Sequence, residues 1–299
     1  MARYNRELVV EIGPFQEWED KKDSQVGVRI VSNGNLNTLK MTLHCQKNIL
    51  ATPNNAEIRI WNLKQSTRQS FKQTGLYVRA YAGFEGGEHE LLFTGSLEAT
   101  KVQRVDTDIV TTLVCMTGES NLARSTFNKT YEQGVPVSQV VTEMANAIPG
   151  IVVDPTNINV EGTIGNNGFS YAGSTKNGLQ KLADQYGFSW SINNGTFVAI
   201  KDMTGRKTSV VLNRNSGLKE VSPRMFGINQ IQEGVDISSI YMQGIDPCHV
   251  IRVESMVSPE LTGEYVCHTI DYDLSPKENQ WDMTINSFFD VKEEQNDGQ

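Results

Sequence analysis

Residues 215–289 most strongly limit what this chain can fold into, because they consist of short runs with strand character. Segments 250–253, 265–266 and 283–285 are rich in β-branched and aromatic side chains, which favour strands. Gly, Pro, Asn and Asp interrupt these runs at intervals of roughly 8–12 residues, which is typical of a β-barrel or sandwich. The stretch therefore predicts an all-β domain.

The N-terminal part of the chain shows a similar pattern. Residues 26–32 and 56–63 carry alternating apolar and polar side chains, the period expected of a half-buried strand. Asn33-Gly34 predicts a hairpin turn after the first of these runs, and residues 85–88 predict a turn between two later strands. This region is therefore also predicted to be a β domain.

A different pattern occupies the middle of the chain. Residues 136–148 have apolar side chains at helical spacing. A second helix is predicted over 174–186, N-capped near Ser174 and ended by Gly187. Two strands follow, joined by an Asn194-Gly195 turn. Helix, strand, turn and strand together predict a small α/β module.

The order of these pieces resembles that of the baseplate hub proteins of contractile-tailed bacteriophages. Residues 55–63 with 66–68 resemble the first tube-like barrel of that family, and they predict a strand followed by a short helix capped by Ser66 or Thr67. Further segments that carry the resemblance are 81–97, 216–223, 247–255, 263–268 and Trp281. The resemblance covers residues 1–117 and 205–290.

The resemblance implies a mainly β fold with a small α/β insertion: two tail-tube-like β-barrel domains flanking an α+β module. The implied domains are a first tube-like barrel at 1–117, an inserted α/β module at 118–204, a second tube-like barrel at 205–290 and an acidic C-terminal tail at 291–299. The module is interpreted as a spacer that contacts neighbouring subunits.

The resemblance also implies a function, that of a structural hub of the virion tail baseplate. Three copies would form a homotrimer whose six similar barrels close a pseudo-sixfold ring. This ring would join the sixfold tail tube protein to the threefold central spike protein, contact other baseplate subunits, and let DNA pass through its lumen without specific binding.

Charge and hydropathy fit this interpretation. The net charge is −8 with a pI of about 5.2, which argues against a nucleic-acid-binding surface rich in Lys and Arg. The inner wall of the ring is therefore predicted to be acidic or neutral, and the acidic tail at 291–299 is predicted to be held by a neighbouring chain. No signal-like or membrane-spanning apolar run is found, so we expect synthesis in the host cytoplasm and no stable membrane insertion.

The sequence contains no motif for catalysis. The four cysteines, Cys45, Cys115, Cys248 and Cys267, are scattered and are predicted to be buried free thiols. The Cys-His dipeptides suggest metal ligands, but adjacent residues of a strand point to opposite faces. Cys248 and Cys267 still have the option of meeting across a hairpin, as do His249 and His268. We predict no catalytic, metal or cofactor-binding residues, no cofactor and no enzymatic activity.

An alternative function is a stand-alone β-rich tail module that binds glycans or another ligand. Trp190 and Tyr186 of the middle module are its candidate aromatic contacts. The oligomeric state separates the two hypotheses, because the hub requires a trimer whereas the binding module can be a monomer.

Overall fold

The computed structural model describes residues 5–14, 27–117, 119–201, 205–226 and 232–289, and most of these residues lie in strands. The strands are β1 (Arg6–Gly13), β2 (Val28–Asn33), β3 (Met41–Asn48), β4 (Asn55–Trp61), β5 (Tyr77–Phe84), β6 (His89–Val105), β7 (Asp108–Met116), β8 (Thr126–Tyr131), β9 (Val152–Asn159), β10 (Phe169–Ser174), β11 (Phe188–Asn193), β12 (Thr196–Lys201), β13 (Arg206–Leu212), β14 (Leu218–Phe226), β15 (Gln232–Ile240), β16 (His249–Val253), β17 (Gly263–Leu274) and β18 (Trp281–Phe289). The helices are α1 (Gln65–Ser70), α2 (Glu119–Arg124), α3 (Val137–Asn146) and α4 (Thr175–Tyr186). The predicted mainly β fold with a small helical insertion is confirmed.

Thirteen of these strands form one sheet that contains both ends of the described chain. Its main path runs β14-β15-β18-β17-β3-β4-β7-β6-β5-β1-β2, with β16 paired to β17 and β13 paired to β16. The two halves join where β17 pairs antiparallel with β3, from Thr269 opposite Asn48 to Leu274 opposite Leu43. Strands assigned from sequence to two separate barrels are therefore hydrogen-bonded into one sheet.

The hydrophobic core is also shared by the two halves. Fully buried side chains from the first half, such as Ile58 and Leu43, belong to the same packed cluster as Ile270, Ile285 and Trp281 from the second. Burial of this many large apolar side chains supplies most of the free energy that favours folding. The strands before residue 117 and those after residue 205 share one core. The domain boundaries at 117 and 205 stay a prediction.

Strand β6 changes its pairing partner along its length. It pairs with β5 as far as Ser96 and with β7 from Ser96 to Val105. Gly95 lies at this change of partner, where an added Cβ would stand 2.4 Å from the Met116 carbonyl oxygen and 2.6 Å from Cζ of Phe93. Only glycine fits there, which gives a physical reason for the Phe93-Thr94-Gly95 sequence in this strand.

The middle module has its own core, in which α3 packs against α4 and β9, and α4 packs against β8, β10 and β11. The predicted helices are confirmed, and Gly187 ends α4 in the left-handed conformation with φ of 66°. Ser174 occupies the predicted N-cap position of α4 but makes no side-chain cap hydrogen bond. The predicted turn is also confirmed, with φ of 49° at Asn194 and 77° at Gly195. The Asn193 side chain bonds Asn54 at 2.6 Å, which helps to fix the module against the large sheet.

Two local predictions were wrong. Neither Ser66 nor Thr67 caps α1, because this helix already begins at Gln65 and the residue before it, Lys64, makes no side-chain cap. Asn33-Gly34 does not close a hairpin, because β2 pairs with β1 whereas β3 pairs with β4 and β17. The chain forms a wider loop there instead, in which the Asn35 backbone N–H donates to Oδ1 of Asn33 at 3.0 Å. The acidic tail at 291–299 lies outside the described residues.

Candidate functional site

The register of the large sheet places side chains in rows that cross from strand to strand. Ile285 lies opposite Ile270, and both are fully buried. One residue further along each strand, Thr284 lies opposite Asp271, which lies opposite Gln46. Successive residues of a strand point to opposite faces, so the second row faces away from the core. The same strands therefore build one apolar face and one polar face.

Eight neighbouring strands, β14, β15, β18, β17, β3, β4, β7 and the end of β6, form a continuous layer. We use the term polar face for the surface of this layer that points away from the hydrophobic core. It extends from Ser222 on β14, opposite Asp236, to Lys101 on β6, opposite Thr112. His44 and Thr284 on this surface are exposed. The surface spans both halves of the chain without a break.

Acidic residues outnumber basic ones across the body of the polar face. The acidic residues are Glu57, Glu220, Asp236, Asp271, Asp273 and Asp282. The basic residues that lie on it or reach it are Arg59, Lys101, Lys219 and Arg224. The remaining positions are mainly Thr, Ser, Asn and Gln, so the surface is polar with a modest excess of negative charge.

Ion pairs at the rim neutralise part of this charge. Arg224 donates from Nη1 to Asp236 at 2.9 Å, and Lys219 Nζ lies 2.6 Å from an Asp282 oxygen. Within the described residues, neither Asp271 nor Asp273 has a basic partner within 4.0 Å. The unpaired negative charge is thus concentrated on β17, in the middle of the layer.

Asp273 and Asp282 face each other directly on adjacent strands. Like charges at opposite positions destabilise a sheet, and here Lys219 offsets the charge of Asp282 while Gln280 donates a hydrogen bond to Asp273.

On the apolar face, one buried charged group connects the two halves. The Lys47 ammonium is 3% exposed and lies 2.7 Å from an Asp246 oxygen and 3.9 Å from a Glu90 oxygen. Glu90 also accepts hydrogen bonds from the Tyr241 hydroxyl at 3.0 Å and from the Gly244 amide at 3.1 Å. We call these groups the Lys47 cluster. It fastens the 241–246 loop of the second half onto β3 and β6 of the first.

The electrostatics of the Lys47 cluster follow from its burial. Burial raises the pKa of the Glu90 carboxyl, while the Lys47 charge and the Tyr241 hydrogen bond act in the opposite direction. Burial also raises the pKa of the Tyr241 hydroxyl well above its usual range, and the neighbouring Glu90 raises it further. Tyr241 therefore stays protonated and serves as a hydrogen-bond donor.

The cysteines are buried free thiols, as predicted. Burial raises the pKa of Cys45 to about 12, so it is not the thiolate that nucleophilic or metal-binding chemistry requires. The Cys248 amide donates to the Cys267 carbonyl at 2.8 Å, which places these two residues on neighbouring segments. In the described ranges, His, Cys, Asp and Glu side chains form no cluster of three or more suited to a metal ion.

The aromatic residues proposed for glycan binding do not form a surface platform. Trp190 is 2% exposed and stacks on Phe197 in the module core, with ring centroids 5.9 Å apart. Tyr186 is half-buried beside Gly162. Across the described part of the chain, the structure contains no helix long and apolar enough to cross a membrane.

Sequence reasoning missed the polar face. The signal for it lies in runs such as 282–286 and 269–273, where polar and apolar side chains alternate. Alternation shows that each strand has a polar side, but not which strands are neighbours. The joining of these sides into one surface depends on the β17–β3 pairing between distant parts of the chain.

The fold is that of bacteriophage-type tail proteins. A tail protein from Neisseria meningitidis MC58 matches with a TM-score of 0.62 and 9% identity over 95% of this chain and 97% of that one. The 43 kDa tail protein of prophage MuSo2 from Shewanella oneidensis matches with a TM-score of 0.60 and 10% identity over 95% and 96%. An E. coli component of the type VI secretion system, described as structurally similar to T4 tail proteins gp27 and gp5, gives 0.56 and 11% over 87% and 76%.

The sequence itself identifies the family. The profile of the family described as Baseplate hub gp41 matches residues 25–287, and the chain belongs to this family. It is therefore a structural protein of the virion tail baseplate. A comparison with curated proteins gives no match.

Proposed function

We propose that three copies of this chain form a ring at the centre of the baseplate, with each polar face turned toward the ring axis. In this arrangement the hub joins the sixfold tail tube to the threefold central spike and lets DNA pass through its lumen. The proposal rests on one observation: the polar, net acidic face that spans both halves of the chain and leaves residues such as His44 and Thr284 exposed.

The charge of the polar face suits a channel for DNA. Proteins hold DNA largely through Lys and Arg, which neutralise phosphates and release counterions. A wall with the Asp271 and Asp273 carboxylates at its centre offers no such contact and repels phosphates weakly. Thr, Ser, Asn and Gln around them keep the wall hydrated, so we expect a duplex to pass without being retained.

Symmetry explains why one chain would supply strands from two regions to the same wall. A closed ring of three subunits matches a threefold spike directly. If each subunit presents two similar units, the same ring also presents six positions to a sixfold tube. Here the two units would be the halves that meet at the β17–β3 pairing, which corresponds to the two tube-like barrels predicted from the sequence.

The proposed partners are the tail tube protein, the central spike protein and other baseplate subunits, and the proposed role is mechanical. Buried thiols such as Cys45 and a buried Trp190 support a role without catalysis or glycan recognition. The module at 118–204 would act as a spacer on the outside of the ring.

Sedimentation equilibrium of the purified chain at micromolar concentration tests the proposal. We expect a mass near three times 33.3 kDa, and electron microscopy should show an axial channel lined by the polar face. A monomer at all accessible concentrations, or a trimer with the polar face on its outside, would contradict the proposed ring.

A further inference from the structure

We propose that Lys47 and Asp246 form a site of covalent self-modification, at which the lysine amine and the aspartate carboxyl condense to an isopeptide bond with Glu90 as the acid–base group. These side chains belong to the Lys47 cluster and come from β3, the 241–246 loop and β6. The reaction modifies the chain itself, and it does not depend on the proposed ring.

Lys47 is placed as a nucleophile. Its Nζ lies 2.7 Å from an Asp246 oxygen, and the side chain is only 3% exposed. On another side, Nζ lies 5.8 Å from the ring centre of Tyr272, which is fully buried. Lysine side chains normally extend into water, where the amine is mobile and hydrated. Burial here confines the amine to a position next to one carboxyl group.

Asp246 is held in place beside this amine. The Tyr272 hydroxyl donates to the Ile245 carbonyl at 3.1 Å, and the Asp246 backbone N–H donates to Nδ1 of His249 at 3.2 Å. The next residue is Pro247. Because proline has no N–H, the Asp246 carboxyl cannot react with the following backbone nitrogen to form a succinimide. The Lys47 amine is therefore the nitrogen nucleophile that the structure offers to this carboxyl.

Glu90 is placed to carry protons between the two groups. Its Oε1 lies 3.9 Å from Nζ of Lys47, and its Oε2 accepts hydrogen bonds from the Tyr241 hydroxyl and the Gly244 backbone N–H. These bonds fix the orientation of the carboxyl group. Burial also raises the pKa of Glu90, and a carboxyl with a raised pKa is a more effective proton carrier near neutral pH.

The condensation balances in atoms and charge without an added reagent. Lys47 passes one proton through Glu90 to the Asp246 carboxylate, and the freed lone pair on nitrogen attacks Cγ of Asp246. A C–N bond forms, a second nitrogen proton moves through Glu90 to a hydroxyl on Cγ, and the C–O bond breaks to release water. Glu90 ends in its starting state. The Asp246 side chain is 48% exposed, which gives the water a route to solvent.

Two physical effects favour the bond over the ion pair. Groups held in reacting positions behave as though present at about 10⁵ M or more, which offsets the unfavourable equilibrium of amide formation in water. The product also carries no charge on either side chain, so the cost of keeping an ammonium group in the interior disappears. The ion pair is the state before reaction, and a freshly folded chain keeps the Lys47 charge until the bond forms.

The bond joins the two halves of the chain. Lys47 and Asp246 are 199 positions apart in the sequence, and the β17–β3 pairing between the halves consists of hydrogen bonds that can open one after another. A covalent link does not open in this way. It also reduces the conformational entropy of the unfolded chain, so we expect the linked chain to unfold at a higher denaturant concentration.

Intact-mass spectrometry of the folded chain during incubation at neutral pH tests the proposal. We expect the wild type to lose the mass of one water molecule, with fragment spectra that locate the link between Lys47 and Asp246. Asp246→Asn changes the leaving group, so this variant should lose the mass of one ammonia molecule instead. Lys47→Arg keeps the cation but removes the amine nucleophile, and its mass should stay unchanged.

Glu90→Gln separates the acid–base role of this residue from its packing. The amide has nearly the same shape but cannot carry the proton, so the rate of mass loss should fall about a hundredfold or more. Lys219 and Asp282 form a matched control within the chain, because their 2.6 Å pair lies on the polar face and should stay unlinked. A folded wild type that keeps its full mass, a link at any other pair, or an unchanged rate in Glu90→Gln would overturn the proposal.

Discussion

The two faces of the eight-stranded layer are built from alternate residues of the same strands but meet different physical demands. On one face, Ile285 and Ile270 are fully buried and bring the two halves of the chain around one core. On the other face, Thr284 and Asp271 occupy the adjacent row and contact solvent. The comparison shows that the large buried side chains lie on the apolar face, whereas the polar face carries side chains that contact solvent and contribute little to the core.

Reversing the charge of the polar face should produce the largest effect. With Asp271→Lys and Asp273→Lys, a trimer gains six lysines along its channel, and duplex DNA should bind instead of passing. The affinity of this variant for DNA should fall about a thousandfold between about 50 and 200 mM salt, as expected for six phosphate contacts.

A filter-binding titration of DNA at several salt concentrations measures this change. The matched control places the same charges outside the polar face, with Asp184→Lys and Glu260→Lys, both at exposed positions. If the control binds DNA as tightly as the polar-face variant, the polar face is not the surface that meets DNA.

Truncation on the apolar face should produce the next largest effect. Ile285→Ala removes a fully buried side chain and should lower the free energy of unfolding by about 3–4 kcal/mol, because it leaves a cavity between three strands. Thr284→Ala, one residue away on the polar face, should change it by less than about 0.5 kcal/mol. Urea denaturation at constant protein concentration compares the two, and equal losses would contradict the assignment of the faces.

Lys47 is a charged residue on the apolar face, and the effect of removing its charge on the free energy of unfolding should depend on pH. Lys47→Met leaves Glu90 without its cation and should lower the free energy of unfolding by about 2 kcal/mol at neutral pH, because an unpaired charge in the interior is unfavourable. The pKa of Glu90 is already raised above 4.5, and loss of Lys47 raises it further. The stability linked to a raised carboxyl pKa is fully present below pH 4.5 and is lost as the pH rises through the folded pKa.

The difference between Lys47→Met and the wild type should therefore be smallest in acid and grow toward neutral pH. Denaturant midpoints measured between about pH 4 and 8 test this expectation. Lys219→Met, which breaks an exposed pair with Asp282 on the polar face, should cost less than about 1 kcal/mol. A pH-independent loss for Lys47→Met would show that packing, not charge, dominates at this position.

Local sequence patterns predicted elements well where the signal is short-range. The Asn194-Gly195 turn and the Gly187 helix end require a positive φ that these residues adopt easily, so the chain alone was enough to place them. Asn33-Gly34 gave the same signal and was wrong, because a turn dipeptide does not reveal whether the next strand returns to its neighbour. Here β3 pairs with β4 and β17 instead.

The candidate site was beyond sequence reasoning for the same reason. Asp271 and Gln46 are separated by most of the chain, yet they are joined by a 2.8 Å hydrogen bond across β17 and β3. The Lys47 cluster likewise brings together Lys47, Glu90 and Asp246 from three distant segments. Their spacing in the sequence carries no trace of these contacts.

The sequence by itself determined the strand-rich character, the helical module, the buried thiols and the membership of the hub family. These features depend on local periodicity, on turn chemistry and on the order of segments along the chain. Only the tertiary structure decided that the two halves share one sheet and one core, that a single polar face crosses both, and that its two edges remain free. The physical reason is that strand pairing depends on hydrogen bonds between segments that are distant in the sequence. The alternation of polar and apolar residues assigns each side chain to a face of the sheet, but it does not identify the neighbouring strand.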